Sequence, residues 1–206
     1  MTNYDTIADW RRLLADSHDA LRAAVGGVGE GQWESPTPCA KWTVAQVLQH
    51  AAGDQIGYAA AITGGPGPAE DPFAPSGVLD REPGVLLDEA LGVSAAAWAT
   101  VDLDAPEVAT PLPQGAIPAW LAAGACALDA AVHAWDIAVA TGGPSPITPA
   151  TARSLLTVAT RIVEPLRAYG AYAPALEAPA GDDVAVLVAY LGRRPAAATG
   201  AGSGVG

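Results

Sequence analysis

The chain has 206 residues, half of them apolar and 16 % charged, which suits one compact domain and excludes a disordered one. Its 22 acidic against 10 basic side chains, a net charge of −12, offer nothing to attract nucleic acid or an anionic membrane. Two cysteines, Cys39 and Cys126, are too few for a disulfide framework; with no basic-then-apolar leader in MTNYDTIADWRRLL, the expected location is a reducing cytoplasm.

Asp5 or Thr6 can cap a first helix running to about Val25, in which Trp10, Leu14, Leu21 and Val25 recur at helical spacing. GGVGEGQWESPTPCAKW reads as a loop from its Gly and Pro content. Thr43 and Gln46 then form a T-x-x-Q capping box that opens a second helix reaching about Thr63. Residues 64–83 hold five prolines and must be irregular, and a third helix follows over roughly Gly84–Val101. After the Pro-bearing DLDAPEVATPLPQGAI, Pro118 suits the first turn of a fourth helix that stops at Gly142.

That fourth helix approaches the length of a membrane span, but Asp129, His133 and Asp136 make it a poor one, so it is expected as the central buried helix of a bundle. Thr148-Pro149 opens a fifth helix to about Tyr169, and Asp182 caps a short sixth segment, DDVAVLVAYLG, whose composition also permits a strand. The expected organisation is all-α: an up-down four-helix bundle over residues 1–170 with long Pro/Gly-rich connections. A short C-terminal segment at 171–194 packs on it, and 195–206 form a disordered tail.

Three histidines, His18, His50 and His133, bound the chemistry. His133 follows Asp129 by four residues, so the two side chains stack on one helix face with Cβ atoms about 5–6 Å apart. At about 100° per residue that face also carries Cys126 and Asp136. His50 lies mid-way along the second helix, where Gly53 and Gly57 would let another backbone approach. One Asp-x-x-x-His pair and one His from another helix supply three ligands to a divalent metal and leave a position open. Asp54 and Asp136 are then candidates for orienting the ring of a ligand histidine.

Spacing alone also admits an ordinary ion pair and a hydrogen-bonded core histidine. His18 reads as partly buried, with pocket-lining or ligation as the alternative. Cys126 reads as a small buried hydrophobe, with an extra ligand or reactive thiol as the alternative. Cys39 sits in a loop and reads as structural, and Trp135 adjoins the proposed site.

TPCAKWTVAQVLQHAAG at 37–53 resembles the TPC-x-x-W-T-V-x-x-L-x-x-H-x-x-G segment of the mycothiol-dependent maleylpyruvate isomerase N-terminal-domain family, part of the DinB-like metal-binding four-helix-bundle superfamily. LDAAVHAWDIAVATG at 128–142 resembles its second signature, and VAYLGRRP the close of an actinobacterial subgroup. The resemblance implies a DinB-like fold and places the metal ligands on His50, Asp129 and His133. Zinc is the usual cation, with nickel or manganese as alternatives. The isomerase has Glu where this chain has Asp129, but the subgroup commonly shows Asp there.

The resemblance further implies an open metal position that activates a low-molecular-weight thiol such as mycothiol for transfer to, or isomerisation of, a small electrophilic substrate. A metal-dependent hydrolase or cyclase acting through water, and a non-catalytic metal or small-molecule binding protein, are the rival readings. Arg81, Arg153, Arg161 and Arg167 are thiol-binding candidates without a motif. A small-molecule substrate is the expected partner, with neither nucleic acid nor membrane, and a homodimer is compatible with the sequence.

Overall fold

A computed structural model describes residues 9–39 and 41–195 of the protein. Six helices follow in chain order: α1 (Trp10–Gly26), α2 (Val44–Thr63), α3 (Pro83–Ala99), α4 (Ala119–Thr141), α5 (Pro149–Arg167) and α6 (Asp183–Tyr190). Among the described residues there is no strand, only the isolated bridges Pro36–Thr43 and Val108–Ile117. The fold is an all-α bundle of the DinB-like kind. α4 packs against both α1 and α2, α3 closes the other side against α2 and α1, α5 covers α4, and α6 lies on α5.

The helix ends follow local chemistry. Thr43 caps α2 by accepting from Gln46 N while Gln46 Oε1 accepts from Thr43 N, so two N–H groups that the helix cannot use are satisfied together. Left-handed glycines, Gly64 and Gly142, end α2 and α4. α1 is capped by Asp9, whose side chain accepts from Arg12 N; the Asp5 or Thr6 cap lies outside the described residues, as does the tail from 196. Pro118 precedes α4 as its N-cap instead of entering the first turn. The ambiguous DVAVLVAY is helix, because Asp182 accepts from Ala185 N and starts α6 there.

α4 is the axis of the molecule, and every residue from Ala122 to Ala138 is buried. It is the one helix among the described residues long and apolar enough to cross a membrane, but 94 % of that window is buried against the rest of the chain. Its alanines let neighbours come close. At Gly124 an added Cβ would stand 2.5 Å from Val158 Cγ2, so α5 seats directly on the α4 backbone.

A polar knot ties four helices behind the site. Gln55 Oε1 accepts from His18 Nε2 at 2.9 Å, Ser94 Oγ at 2.9 Å and Cys126 Sγ at 3.0 Å. Gln55 Nε2 donates to the Cys126 carbonyl at 3.1 Å. Of the two free cysteines, Cys126 is buried in this knot and Cys39 is half-buried in the loop before α2.

Candidate metal centre

α2 and α4 bring His50, Asp129 and His133 together, with one donor atom from each inside a 4.8 Å span. Asp129 Oδ1 lies 3.3 Å from His50 Nε2 and 3.3 Å from His133 Nε2. All three side chains are buried, and the two imidazole planes stand nearly perpendicular at 82°. The outer nitrogens are engaged elsewhere. His50 Nδ1 donates to the Pro72 carbonyl at 2.9 Å, and His133 Nδ1 donates to Asp136 Oδ2 at 3.0 Å.

A carbonyl only accepts, so the Pro72 contact puts the proton of a neutral His50 on Nδ1 and leaves the Nε2 lone pair facing Asp129. Asp129 Oδ2 is buried and has no hydrogen-bond partner. With both rings neutral and protonated on Nδ1, lone pairs from two rings and a carboxylate converge, and an orphaned carboxylate oxygen sits beside them. That donor set fits a divalent cation of the nitrogen-and-oxygen-binding kind, with both rings oriented through their outer N–H groups as ligand histidines usually are.

The charges lean on one another. Burial disfavours the Asp129 carboxylate, but the His133 and His50 rings outweigh it and hold the group well below the usual range. Burial likewise opposes charge on His133, yet Asp129 and Asp136 push it up to about 9. Asp54 moves the other way, raised to about 7 by burial and then by the Asp129 charge.

Asp54 does not orient a ligand ring as expected, because the Pro72 carbonyl occupies that position on His50. It stands half-buried one turn along α2, with no hydrogen bond from a described residue. Gly53 does admit a close neighbour, the Pro72 ring, with a notional Cβ 3.0 Å from its Cγ; Gly57 meets nothing. His18 is buried in the Gln55 knot and is no ligand. Cys126 is held in the same knot, and burial drives its thiol pKa up.

Several residues at the centre have no role that the sequence assigns, although Trp42 and Arg193 stand within TPCAKWTVAQVLQHAAG and VAYLGRRP. Trp42 stacks on His50 at 4.5 Å between centroids, and Phe73 approaches the same ring edge-on at 5.4 Å. The 64–82 loop that brings Phe73 is fixed by Gln46 to the Pro75 carbonyl and by Gln49 to Gly77 N and the Val78 carbonyl. Arg193, from beyond α6, grips Asp136 with Nε at 2.9 Å from Oδ1 and Nη2 at 2.8 Å from Oδ2. Tyr172 lies close enough for Asp129 and Asp54 to add to the upward push that burial gives its phenol. The expected thiol-binding arginines are engaged elsewhere: Arg81 with Glu89, Arg153 with Asp183, and Arg167 with Glu164 and the Tyr190 carbonyl. Arg161 lies on the exposed face of α5.

The profile of the mycothiol maleylpyruvate isomerase N-terminal domain family matches residues 14–138. The chain belongs to that family. The family match takes in His50, Asp129, His133 and Asp136 and ends before α5, so Tyr172 and Arg193 lie outside it. Two uncharacterised proteins from strains of Mycobacterium tuberculosis are 32 % identical over 154 residues, covering 72 % of this chain and 76 % of theirs. A Geobacillus thermodenitrificans protein named as a candidate metal-dependent hydrolase is 32 % identical over 108 residues, 47 % of this chain and 59 % of its own. No solved structure matches.

Proposed function

We propose that this family member is a divalent-metal-dependent enzyme holding zinc through His50, Asp129 and His133. It would activate a mycothiol-type thiol for transfer to, or isomerisation of, a small electrophile in the cytoplasm. The observation that carries the reading is the buried convergence of two Nε2 atoms on a carboxylate whose second oxygen is unpartnered. A cation bound there would supply Lewis acidity that favours the ionised form of a thiol or water at neutral pH.

The rest falls to the chain's own groups, the Pro72 backbone carbonyl among them. Pro72 and Asp136 fix the two rings, so the donors are set before a ligand arrives. Trp42 and Phe73 wall His50 with apolar surface and limit water there. Asp54, one turn along α2 from His50, would be the group to hold a proton released by an incoming ligand.

The name of the Geobacillus relative supports a second reading, hydrolysis by water with no thiol. Metal analysis of the purified protein tests the common core: about one cation per chain is expected, and none in His50→Ala. A native protein without metal overturns both readings. Adding mycothiol to the cobalt-substituted protein then separates them, since a sulfur-to-cobalt absorption band is expected only if the thiol binds at the centre.

A further inference from the structure

We propose that Arg193 is a positioning residue for the metal centre, acting through Asp136 on His133, so that metal affinity depends on the docked C-terminal segment. This rests on reading His50, Asp129 and His133 as the ligands. Arg193 and Asp136 are 57 positions apart in sequence and both buried, Asp136 completely. The guanidinium reaches the carboxylate with Nε at 2.9 and 3.2 Å from its two oxygens and Nη2 at 2.8 Å from Oδ2, and Nη1 adds the Leu191 carbonyl at 3.4 Å.

The backbone that delivers Arg193 is fixed as firmly. Arg193 N donates to the Val188 carbonyl at 2.9 Å. Gly192 before it is left-handed at φ +81°, and a Cβ there would stand 2.7 Å from the Ala173 carbonyl oxygen. The turn after α6 therefore accepts only glycine and aims the next side chain at α4.

Asp136 Oδ2 is shared: it accepts from Arg193 Nη2 and from His133 Nδ1. A carboxylate in a guanidinium fork is acceptor-only, so it fixes the proton of a neutral His133 on Nδ1 and leaves Nε2 free to face Asp129. Without the fork, an Asp three residues along the same helix can rotate, and the ring loses its anchor. A buried ion pair adds little to stability that well-packed apolar residues would not supply; orienting a ligand ring is what an apolar pair could not do.

The test compares zinc affinity, by competition with a chromophoric chelator, in the wild-type chain and in Arg193→Met, Arg193→Lys and Arg167→Met. Arg167 ties the same segment through the Tyr190 carbonyl but touches neither Asp136 nor His133, so it controls for loosened docking. Arg193→Met is expected to bind about 10–100-fold more weakly, with Arg193→Lys between it and wild type because an ammonium keeps the charge but not the fork. Arg167→Met is expected within about twofold of wild type, outside the range of outer-ligand effects.

Wild-type affinity in both Arg193 variants overturns the proposal, as does an equal loss in Arg167→Met. If Arg193→Met does not fold, Arg193→Lys decides alone: an unchanged affinity overturns the proposal and a several-fold loss supports it. A wild-type chain that binds no zinc removes the centre itself, and the positioning role with it. Binding by wild type with no Arg193 effect leaves the centre standing and removes only the role of Arg193.

Discussion

Gln55→Leu should loosen the bundle by about 2–4 kcal/mol. One carbonyl oxygen, Gln55 Oε1, serves donors from α1, α3 and α4, and all four side chains are buried. Removing it strands them unequally. His18 Nε2 loses its partner outright and carries a desolvation penalty of about 1–3 kcal/mol. The Ser94 hydroxyl can turn to the carbonyl one turn back on its own helix, losing about 1 kcal/mol, and the Cys126 thiol is a weak donor that loses little. The Cys126 carbonyl keeps its helical partner. For a chain of this size the sum lowers the melting temperature by about 5–15 °C, readable by circular dichroism. The reasoning is refuted by a shift of under about 1 °C, or by His18→Leu/Gln55→Leu melting no higher than Gln55→Leu, because removing both partners of a buried bond should be nearly neutral.

Gly124→Ala gains about 1 kcal/mol of helix propensity, yet its methyl meets Val158 at 2.5 Å, so a net loss of about 1–2 kcal/mol in urea unfolding is expected; Val158→Ala in the same chain should return most of it. Burial pushes the Cys39 thiol up to about 11, which keeps it protonated below that pH. Its labelling by a disulfide reagent at pH 8 should run about twentyfold slower than for an ordinary thiol after allowing for the stronger nucleophilicity of the rarer thiolate, and should climb about tenfold per pH unit; a rate already at its plateau at pH 9 contradicts this.

The elements were largely legible because their signals are local. The Thr43–Gln46 capping box, the closing glycines and the Pro-rich connections each act within a turn, and the polar stripe on α4 follows from helical period alone. Period also indicated that Asp129 and His133 share a face, His50 on the second helix offered a third ligand, and the family resemblance placed all three at one metal site. What sequence withheld is set by contacts across the chain. Arg193 and Arg194 are adjacent and chemically alike, yet one is buried on Asp136 and the other exposed, a difference that only the docking of α6 decides. Trp42 and Phe73 reach His50 because the loops before and after α2 fold back over it, and no spacing rule reports that. Asp54 was misread for a related reason: the expected partner of His50 was sought among side chains, and a backbone carbonyl took the place. DVAVLVAY was ambiguous because its β-branched residues suit either form, and a single cap at Asp182 sufficed to choose.

The charges on the most apolar helix are compensated unequally, and the inequality points to the site. Burying an ion costs several kcal/mol even after the protein relaxes around it. At Asp136 that cost is met in full, by three guanidinium contacts and a ring N–H. At Asp129 one oxygen is faced by the inner nitrogens of two histidines whose outer nitrogens are already bonded, and the other oxygen has no hydrogen-bond partner. A packing device would have no reason to satisfy one carboxylate and leave its neighbour two turns away half-satisfied. Nor would it supply an outer anchor for each ring that faces the unsatisfied group. The bundle spends its rigid hydrogen bonds on the periphery of the cluster and leaves its middle short of positive charge, which is the arrangement a cation would complete.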